Sequence, residues 1–216
     1  MTYVGWAALY EGPSDAAYFG VLLPRVMDEL ILTRGIRNSI VPALPAILLK
    51  RGDVVTVAIE ACNAREAFHL VFVHADAGGR AVEQRLLQRS QAYCEAMHDE
   101  CAWNPARCIT IEPRHETESW VLCDPTAVTG ALGFRGNAAD IGLPKDAAEA
   151  EKLRDPKAVL NDAIRKIRGR RRGESATNLY SAIAQRQNFA ALRESASFAE
   201  LEARLVIALT DLGCVG

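Results

Sequence analysis

The stretch that decides the fold is His69-Leu70-Val71-Phe72-Val73-His74-Ala75-Asp76-Ala77-Gly78-Gly79. Residues 68–73 form a continuous apolar run, which is typical of a strand buried on both faces of a parallel sheet. His74 and Asp76 stand at the end of this run, before the two glycines break it. Side chains beyond the carboxyl ends of parallel strands converge on the ligand crevice. The stretch therefore predicts a buried strand that delivers functional side chains to one edge of a sheet.

A second apolar run ends in the same way. Residues 2–10 predict a strand, and Glu11-Gly12-Pro13-Ser14-Asp15 follows it. Two strands that each deliver an acid to one edge predict a shared divalent-metal site, with Glu11 and Asp76 as candidate ligands. Carboxylate oxygens favour Mg²⁺ or Mn²⁺. Glu11 is also a candidate general acid/base, and the alternative for it is a solvated loop glutamate.

Two further residues join this candidate site. His74 lies two positions before Asp76, so both side chains would point to the same side of an extended backbone. This makes His74 a candidate catalytic group, although a packed, hydrogen-bonded histidine is the favoured interpretation for that residue alone. Glu118 abuts Trp120 at the start of a predicted helix. The helix dipole alone favours acids in a first turn, but it does not explain an acid beside a buried tryptophan.

The order of elements predicts an α/β fold. Apolar residues at helical spacing indicate a helix over 15–32, and an amphipathic pattern indicates another over 81–101. Residues 108–111 predict a short strand. Residues 54–66 suit either a helix capped by Asp53 or a strand. The alternation of strands and helices points to a mostly parallel central sheet with right-handed crossovers, flanked by helices.

The predicted domain organisation has three parts. An α/β domain covers residues 1–125, and a glycine-, alanine- and proline-rich linker or loop covers 126–156. Residues 157–216 form a helical C-terminal part. Its predicted helices span 157–168, 176–187 and 198–212. The strongest charge cluster of the chain lies between the first two of these helices, at Arg168, Arg170, Arg171 and Arg172. These arginines are candidate phosphate contacts for nucleic acid, and a solvated turn between helices is the alternative.

Composition limits the class of protein. The chain has 216 residues, 24% of them charged, and a net charge of −2, so any nucleic-acid contact would be local rather than spread over a basic surface. No apolar run reaches the roughly 20 residues that span a bilayer, and the N-terminus lacks the pattern of a signal peptide. The sequence therefore predicts a cytoplasmic protein with no membrane contact.

The six cysteines contain no Cys-x-x-Cys pair. In a protein expected to be intracellular, this spacing predicts no disulfide framework. Cys94, His98 and Cys101 recur at i, i+4 and i+7, a spacing that allows a zinc site. Burial of the cysteines in the core is the favoured interpretation, because cysteine packs readily as a small apolar residue.

Three motifs together resemble a TOPRIM-like fold. Glu11-Gly12-x-Ser14-Asp15 resembles the Glu-Gly motif after the first TOPRIM strand, and His74-Ala75-Asp76 resembles the Asp-x-Asp motif after a later strand. The third motif is Pro113-Arg114-x-x-x-x-Glu118-Ser119-Trp120-Val121-Leu122-x-Asp124, followed by Asp155-Pro156-Lys157. It is similar to an uncharacterised TOPRIM-like family of prokaryotic proteins that often accompany ATPases in mobile or defence gene clusters.

The resemblance implies a function. TOPRIM domains occur in topoisomerases, primases and nucleases of the overcoming-lysogenization-defect type, where the glutamate serves as acid/base and the aspartates bind magnesium. His74 replaces the first aspartate here, and Glu118 is the candidate substitute ligand. The leading prediction is a metal-dependent phosphoryl-transfer enzyme acting on nucleic acid, a nuclease of a prokaryotic defence system. The alternative is a non-catalytic partner module that docks on an ATPase or another defence protein.

Overall fold

The computed structural model describes residues 1–74, 82–168 and 176–216, with the backbone alone at 82–88, 168 and 176. These residues form two compact units, and each unit combines stretches that lie far apart in the sequence. Unit 1 comprises Met1–Gly12, Leu23–Glu112 and Glu200–Gly216, and unit 2 comprises Pro13–Leu22 and Pro113–Ala199. The units do not coincide with the three predicted segments, since residues 200–216 group with the sheet and residues 13–22 group with the helical unit.

Unit 1 is built on a parallel sheet. The strands within the described residues are β1 (Thr2–Tyr3), β2 (Trp6–Leu9), β3 (Ser39–Ile40), β4 (Ile47–Leu48), β5 (Leu70–His74) and β6 (Cys108–Ile111). The main sheet has the order β4-β2-β5-β6, and β1 and β3 pair separately. Every strand pair is parallel. The predicted α/β class with a mostly parallel sheet is confirmed.

The strand order changes direction between β2 and β5. From β2 the chain continues through helix α1 (Pro13–Arg34) to β4 on one side, and from β5 it continues through helix α3 (Val82–Cys101) to β6 on the other. In open parallel sheets, a reversal of this kind marks the crevice where ligands bind. The carboxyl ends of β2 and β5 therefore flank the switch point of this sheet.

Both central strands are apolar on each face because each face is covered. Every residue of β2 and β5 is buried. Ala7 and Val71 belong to a core cluster shared with helix α2 (Val54–Asn63) and with Met97 of α3. The alternate residues Trp6 and Phe72 meet edge to face, with ring centroids 5.8 Å apart. This two-sided burial explains why these strands show continuous apolar runs.

Glycine and a side-chain cap set two local boundaries in unit 1. The predicted strand over 2–10 is divided into β1 and β2 near Gly5, where a Cβ atom would lie only 3.0 Å from the Ala67 carbonyl oxygen. Residues 54–63 form a helix rather than a strand, because Asp53 caps it by accepting a hydrogen bond from the Thr56 amide at 3.0 Å. The choice left open by the sequence is thus decided by the cap.

Four cysteines form disulfides, so the prediction of no disulfide framework is wrong for them. Cys62 bonds Cys101, and Cys94 bonds Cys108. The sequence alone gave no sign of these pairs, because their partners are 39 and 14 residues apart and meet only when α2, α3 and β6 pack together. The Sγ atoms of Cys94 and Cys101, two of the three candidate zinc ligands, are both engaged in these bonds.

Unit 2 is helical. Its elements are α4 (Thr117–Val121), α5 (Pro125–Leu132), α6 (Ala147–Ala150), α7 (Pro156–Arg168), α8 (Ala176–Arg186) and α9 (Phe189–Arg193), with a 3₁₀ turn at Ala138–Ile141. Helix α10 (Ala196–Asp211) begins in unit 2 and continues in unit 1. The predicted linker over 126–156 thus contains helices. Asp124 and Asp146 cap two of them. The buried residues of α6 are alanines, whereas those of α5 are Ala127, Val128 and Leu132.

No helix within 1–74, 82–168 or 176–216 has the length and apolar character needed to cross a membrane.

The remaining cysteines give a first prediction. Cys123 and Cys214 are buried and belong to no disulfide. Burial, together with the charge of Glu151, raises the pKa of the Cys123 thiol to about 12, so the reactive thiolate is scarce at neutral pH. A thiol reagent should therefore modify no cysteine in the native unreduced protein. It should modify two per chain after unfolding and six after reduction. Rapid modification of two or more thiols in the native protein would contradict the pairing.

Candidate functional site

Glu11 stands just beyond the carboxyl end of β2. Its side chain is 22% exposed, and Arg51 Nη2 lies 2.9 Å from its Oε1 atom. Arg51 follows β4 and is itself 67% exposed, so the pair contributes at most about 1 kcal/mol to stability. Such a pair orients the carboxylate without locking it in place. Glu11 is therefore partly exposed beside the switch point of the sheet.

His74 is the last residue of β5 and is buried. Its Nδ1 atom lies 3.1 Å from the carbonyl oxygen of Ile111 on the neighbouring strand β6. A carbonyl oxygen only accepts hydrogen bonds, so Nδ1 carries the proton in this contact. This geometry matches the packed, hydrogen-bonded histidine that the sequence favours for His74 considered alone.

The register of the sheet aligns the two strand ends. Leu9, the last residue of β2, pairs with Val73 of β5, and β5 continues for one more residue to His74. Glu11 follows the first strand end by two residues. The candidate ligand Asp76 follows the second and lies outside the described residues, as do Arg170, Arg171, Arg172 and the side chain of Arg168.

In unit 2, Glu118 lies on α4 and its side chain is only 3% exposed. Tyr180 of α8 donates its hydroxyl proton to Glu118 Oε1 at 2.6 Å. The ammonium of Lys157, on α7, lies 3.4 Å from the same oxygen. A buried carboxylate is costly unless it is paired and hydrogen-bonded, and these two partners meet that requirement. Glu118 thus links three helices of unit 2.

Further acidic residues lie close to this network. Thr117 donates to Asp15 Oδ1 at 2.7 Å, and both side chains are buried. The pKa of Tyr180 is raised, first by burial and then by the charges of Glu118, Asp15 and Glu116. The phenol therefore stays protonated and keeps its hydrogen bond to Glu118 across the physiological pH range.

Trp120 explains the position of α4. Its indole is fully buried and meets the rings of Phe19 and Phe198 edge to face, with centroids 5.9 and 5.4 Å away. The indole Nε1 donates to Ser197 Oγ at 2.7 Å. Ser197 in turn donates to Glu151 at 2.9 Å. The tryptophan beside Glu118 is thus a packing anchor that fixes the acidic first turn of α4.

Three important partners were not among the predicted site residues: Arg51 beside Glu11, Tyr180 beside Glu118, and Glu151. No local pattern marks them, because each acts through a contact distant in sequence. Lys157 belongs to the third sequence motif, but the motif did not predict its contact with Glu118.

The described residues contain no group of three or more histidine, cysteine, aspartate or glutamate side chains positioned to hold a metal ion. The carboxylate of Glu11 has the hard oxygen donors that Mg²⁺ and Mn²⁺ prefer, and it is accessible at the crevice. It is therefore chemically suited to contribute one ligand there.

Glu151 gives a prediction about acid stability. Burial acts to raise its pKa, but hydrogen bonds from Ser195 and Ser197 outweigh this effect and lower it. Because the pKa of Glu151 is lower in the folded state, its ionised carboxylate stabilises the fold at pH values above 4.5, the ordinary pKa of a glutamate. This stabilisation is lost as the pH falls through the folded-state pKa. We expect Glu151→Gln to cost about 2 kcal/mol at pH 7, measured by urea unfolding.

The same measurement at acid pH provides the check. The stability difference between wild type and Glu151→Gln should shrink as the pH falls below 4.5. The matched control is Asp162→Asn on α7, whose side chain is 58% exposed and which should change stability little at either pH. A difference that is constant with pH would show that the charge of Glu151 plays no part.

No family model, curated protein or solved structure matches the chain.

Proposed function

We propose that the protein is a metal-dependent phosphoryl-transfer enzyme acting on nucleic acid, a nuclease of the TOPRIM type. The observation that carries this proposal is the place of Glu11. It lies at the carboxyl end of β2, beside the switch point that β2 shares with β5, and it remains accessible there. Asp76 follows β5 in the sequence and would supply the second acid.

The roles follow from the chemistry of these groups. Glu11 would orient the attacking water and accept its proton. Asp76, with Glu11, would hold Mg²⁺ or Mn²⁺, which when bound supplies positive charge to stabilise the developing charge on phosphate. His74, tied to the Ile111 carbonyl, would position the backbone that leads to Asp76. Exposed Arg51, beside Glu11, would attract the phosphate backbone of the substrate.

Glu118 takes a different role in this proposal. Tyr180 and Lys157 already satisfy its carboxylate within unit 2, so we assign it to holding α4 in place rather than to binding metal. The arginines at 168, 170, 171 and 172 are kept as proposed nucleic-acid contacts. A cytoplasmic location, a role in prokaryotic defence and a nearby ATPase partner remain proposals drawn from the sequence and its resemblance.

A cleavage assay tests the proposal. Purified protein is incubated with single- and double-stranded DNA and RNA, with Mg²⁺, with Mn²⁺ or with a chelator. We expect cleavage that requires a divalent ion. Activity that is unchanged by the chelator, or no cleavage of any substrate with either ion, would oppose the enzyme assignment.

A second candidate function is a non-catalytic partner module that docks on an ATPase. The replacement of the first Asp-x-Asp acid by His74, and the bond of that histidine to a backbone carbonyl, favour it. This candidate predicts no metal-dependent cleavage and stable co-purification with the ATPase encoded nearby. Because metal binding without cleavage would also fit a module that retains part of the site, the cleavage assay separates the two candidates.

A further inference from the structure

The two disulfides of unit 1 differ in the elements that they connect and in the burial of their cysteines. Cys62–Cys101 connects the C-terminal ends of α2 and α3. The Cys62 side chain is buried, and the Cys101 side chain is half-buried. Cys94–Cys108 connects the middle of α3 to the first residue of β6, and both of its side chains are half-buried. A thiolate must reach a sulfur atom in order to attack it. Cys94–Cys108 has half-buried residues at both ends, whereas Cys62–Cys101 has a half-buried residue only at Cys101.

An open groove gives access to the Cys94–Cys108 bond. The groove has a volume of about 620 Å³, and residues of α3, β6 and α10 line it together with both cysteines. Cys62 and Cys101 line a smaller depression of about 380 Å³. The larger groove has room for a small thiol beside the disulfide.

Two basic side chains also line the groove. His98 lies one helical turn after Cys94, and its Nδ1 atom is 3.1 Å from the Trp103 carbonyl oxygen. Arg204 of α10 also lines the groove, where it donates to Thr110 and pairs with Glu112 and Glu200. Glu95 and Asp99 also line the groove, and their negative charges would disfavour thiol compounds that carry several negative charges.

We propose that Cys94–Cys108 is a thiol–disulfide exchange site for low-molecular-weight thiols, whereas Cys62–Cys101 is a structural bond. A thiolate attacks Cys108 Sγ, a mixed disulfide forms, and Cys94 Sγ leaves as a thiolate that takes up a proton. His98 and Arg204 stabilise that leaving thiolate. A second thiol attacks the mixed disulfide and releases the oxidised thiol dimer together with the Cys108 thiol. The two incoming thiols supply the two electrons and are oxidised.

Opening the Cys94–Cys108 bond should change unit 1 locally and should not unfold it. Opening Cys94–Cys108 removes the covalent link between the middle of α3 and the start of β6. Helices α2 and α3 still pack against each other, and Cys62–Cys101 still joins their ends. The proposal does not depend on the nuclease assignment, because it uses none of the acids at the carboxyl edge of the sheet.

Alkylation kinetics test the proposal. Native protein is incubated with reduced glutathione or with uncharged 2-mercaptoethanol, quenched with iodoacetamide at intervals, and mapped by peptide mass spectrometry. Cys94 and Cys108 should open about tenfold faster than Cys62 and Cys101, because access to sulfur governs exchange. The buried Cys123 and Cys214 should stay unmodified, which reports that the chain is still folded. His98→Gln and Arg204→Gln should each slow the opening of Cys94–Cys108.

A double variant, Cys62→Ser with Cys101→Ser, isolates the exchange site and should keep the wild-type rate at Cys94–Cys108. If this variant fails to fold, the order of opening in the wild type remains the test. Opening of Cys62–Cys101 first, equal rates at all four cysteines, or alkylation of all four before any thiol is added would each overturn the proposal.

Discussion

Replacing Trp120 by alanine is expected to destabilise the protein by about 3–5 kcal/mol, the usual cost of removing a large buried aromatic side chain. The indole is fully buried between Phe19 and Phe198 and donates a hydrogen bond to Ser197. Its removal leaves a cavity and deprives Ser197 of a donor beside Glu151. Urea unfolding followed by circular dichroism measures the loss.

Two variants sharpen this test. Trp120→Phe keeps most of the apolar volume but loses the Nε1 hydrogen bond, so it should cost only about 1–2 kcal/mol. Trp103→Ala, at a half-buried position of unit 1, should cost less than Trp120→Ala. A loss below about 1 kcal/mol for Trp120→Ala, within the range of surface substitutions, would show that α4 is not anchored in this way.

The second large effect concerns activity. If Glu11 accepts the proton of the attacking water, Glu11→Gln should lower the cleavage rate by about 10²–10⁴-fold, the usual contribution of general acid/base catalysis. The fold should persist, because the pair of Glu11 with the exposed Arg51 contributes at most about 1 kcal/mol to stability. Single-turnover cleavage at saturating Mg²⁺ measures the change.

The matched control is Glu66→Gln. Its side chain is 94% exposed, and it lies in the 3₁₀ turn before β5, so its removal should leave the rate unchanged. Equal rates for Glu11→Gln and the wild type would remove Glu11 from the catalytic step. Loss of activity in Glu66→Gln as well would indicate that the assay reports something other than the site.

The sequence predicted the central strands and the long helices because their burial leaves a direct pattern. The runs at 2–10 and 68–73 are apolar on both faces, and the helix over 15–32 shows the helical period. The strand β4 has only two residues, too few to show any period. The helices α5 and α6 have only 8 and 4 residues and depend on their aspartate caps, so they are too short to show a clear apolar stripe.

The candidate site was predictable only where it follows strand ends. Glu11 was placed correctly at the carboxyl end of β2, since strand topology brings such residues to one edge. The partners of Glu118 could not be predicted in the same way. Tyr180 is 62 residues away in sequence and reaches Glu118 only through the packing of α8 against α4. The disulfides were missed for the same reason.

The most direct test of the central claim, a divalent-metal site built on Glu11 and Asp76, is a calorimetric titration with Mn²⁺. Wild type should bind the ion. Asp76→Asn and Glu11→Gln should each weaken binding by at least about tenfold, the lower bound for losing even an outer-shell partner of a metal site. Asp99→Asn, an exposed acid of α3, should bind as wild type does. Absence of Mn²⁺ binding by the wild type, or equal affinity in Asp76→Asn, would contradict the account.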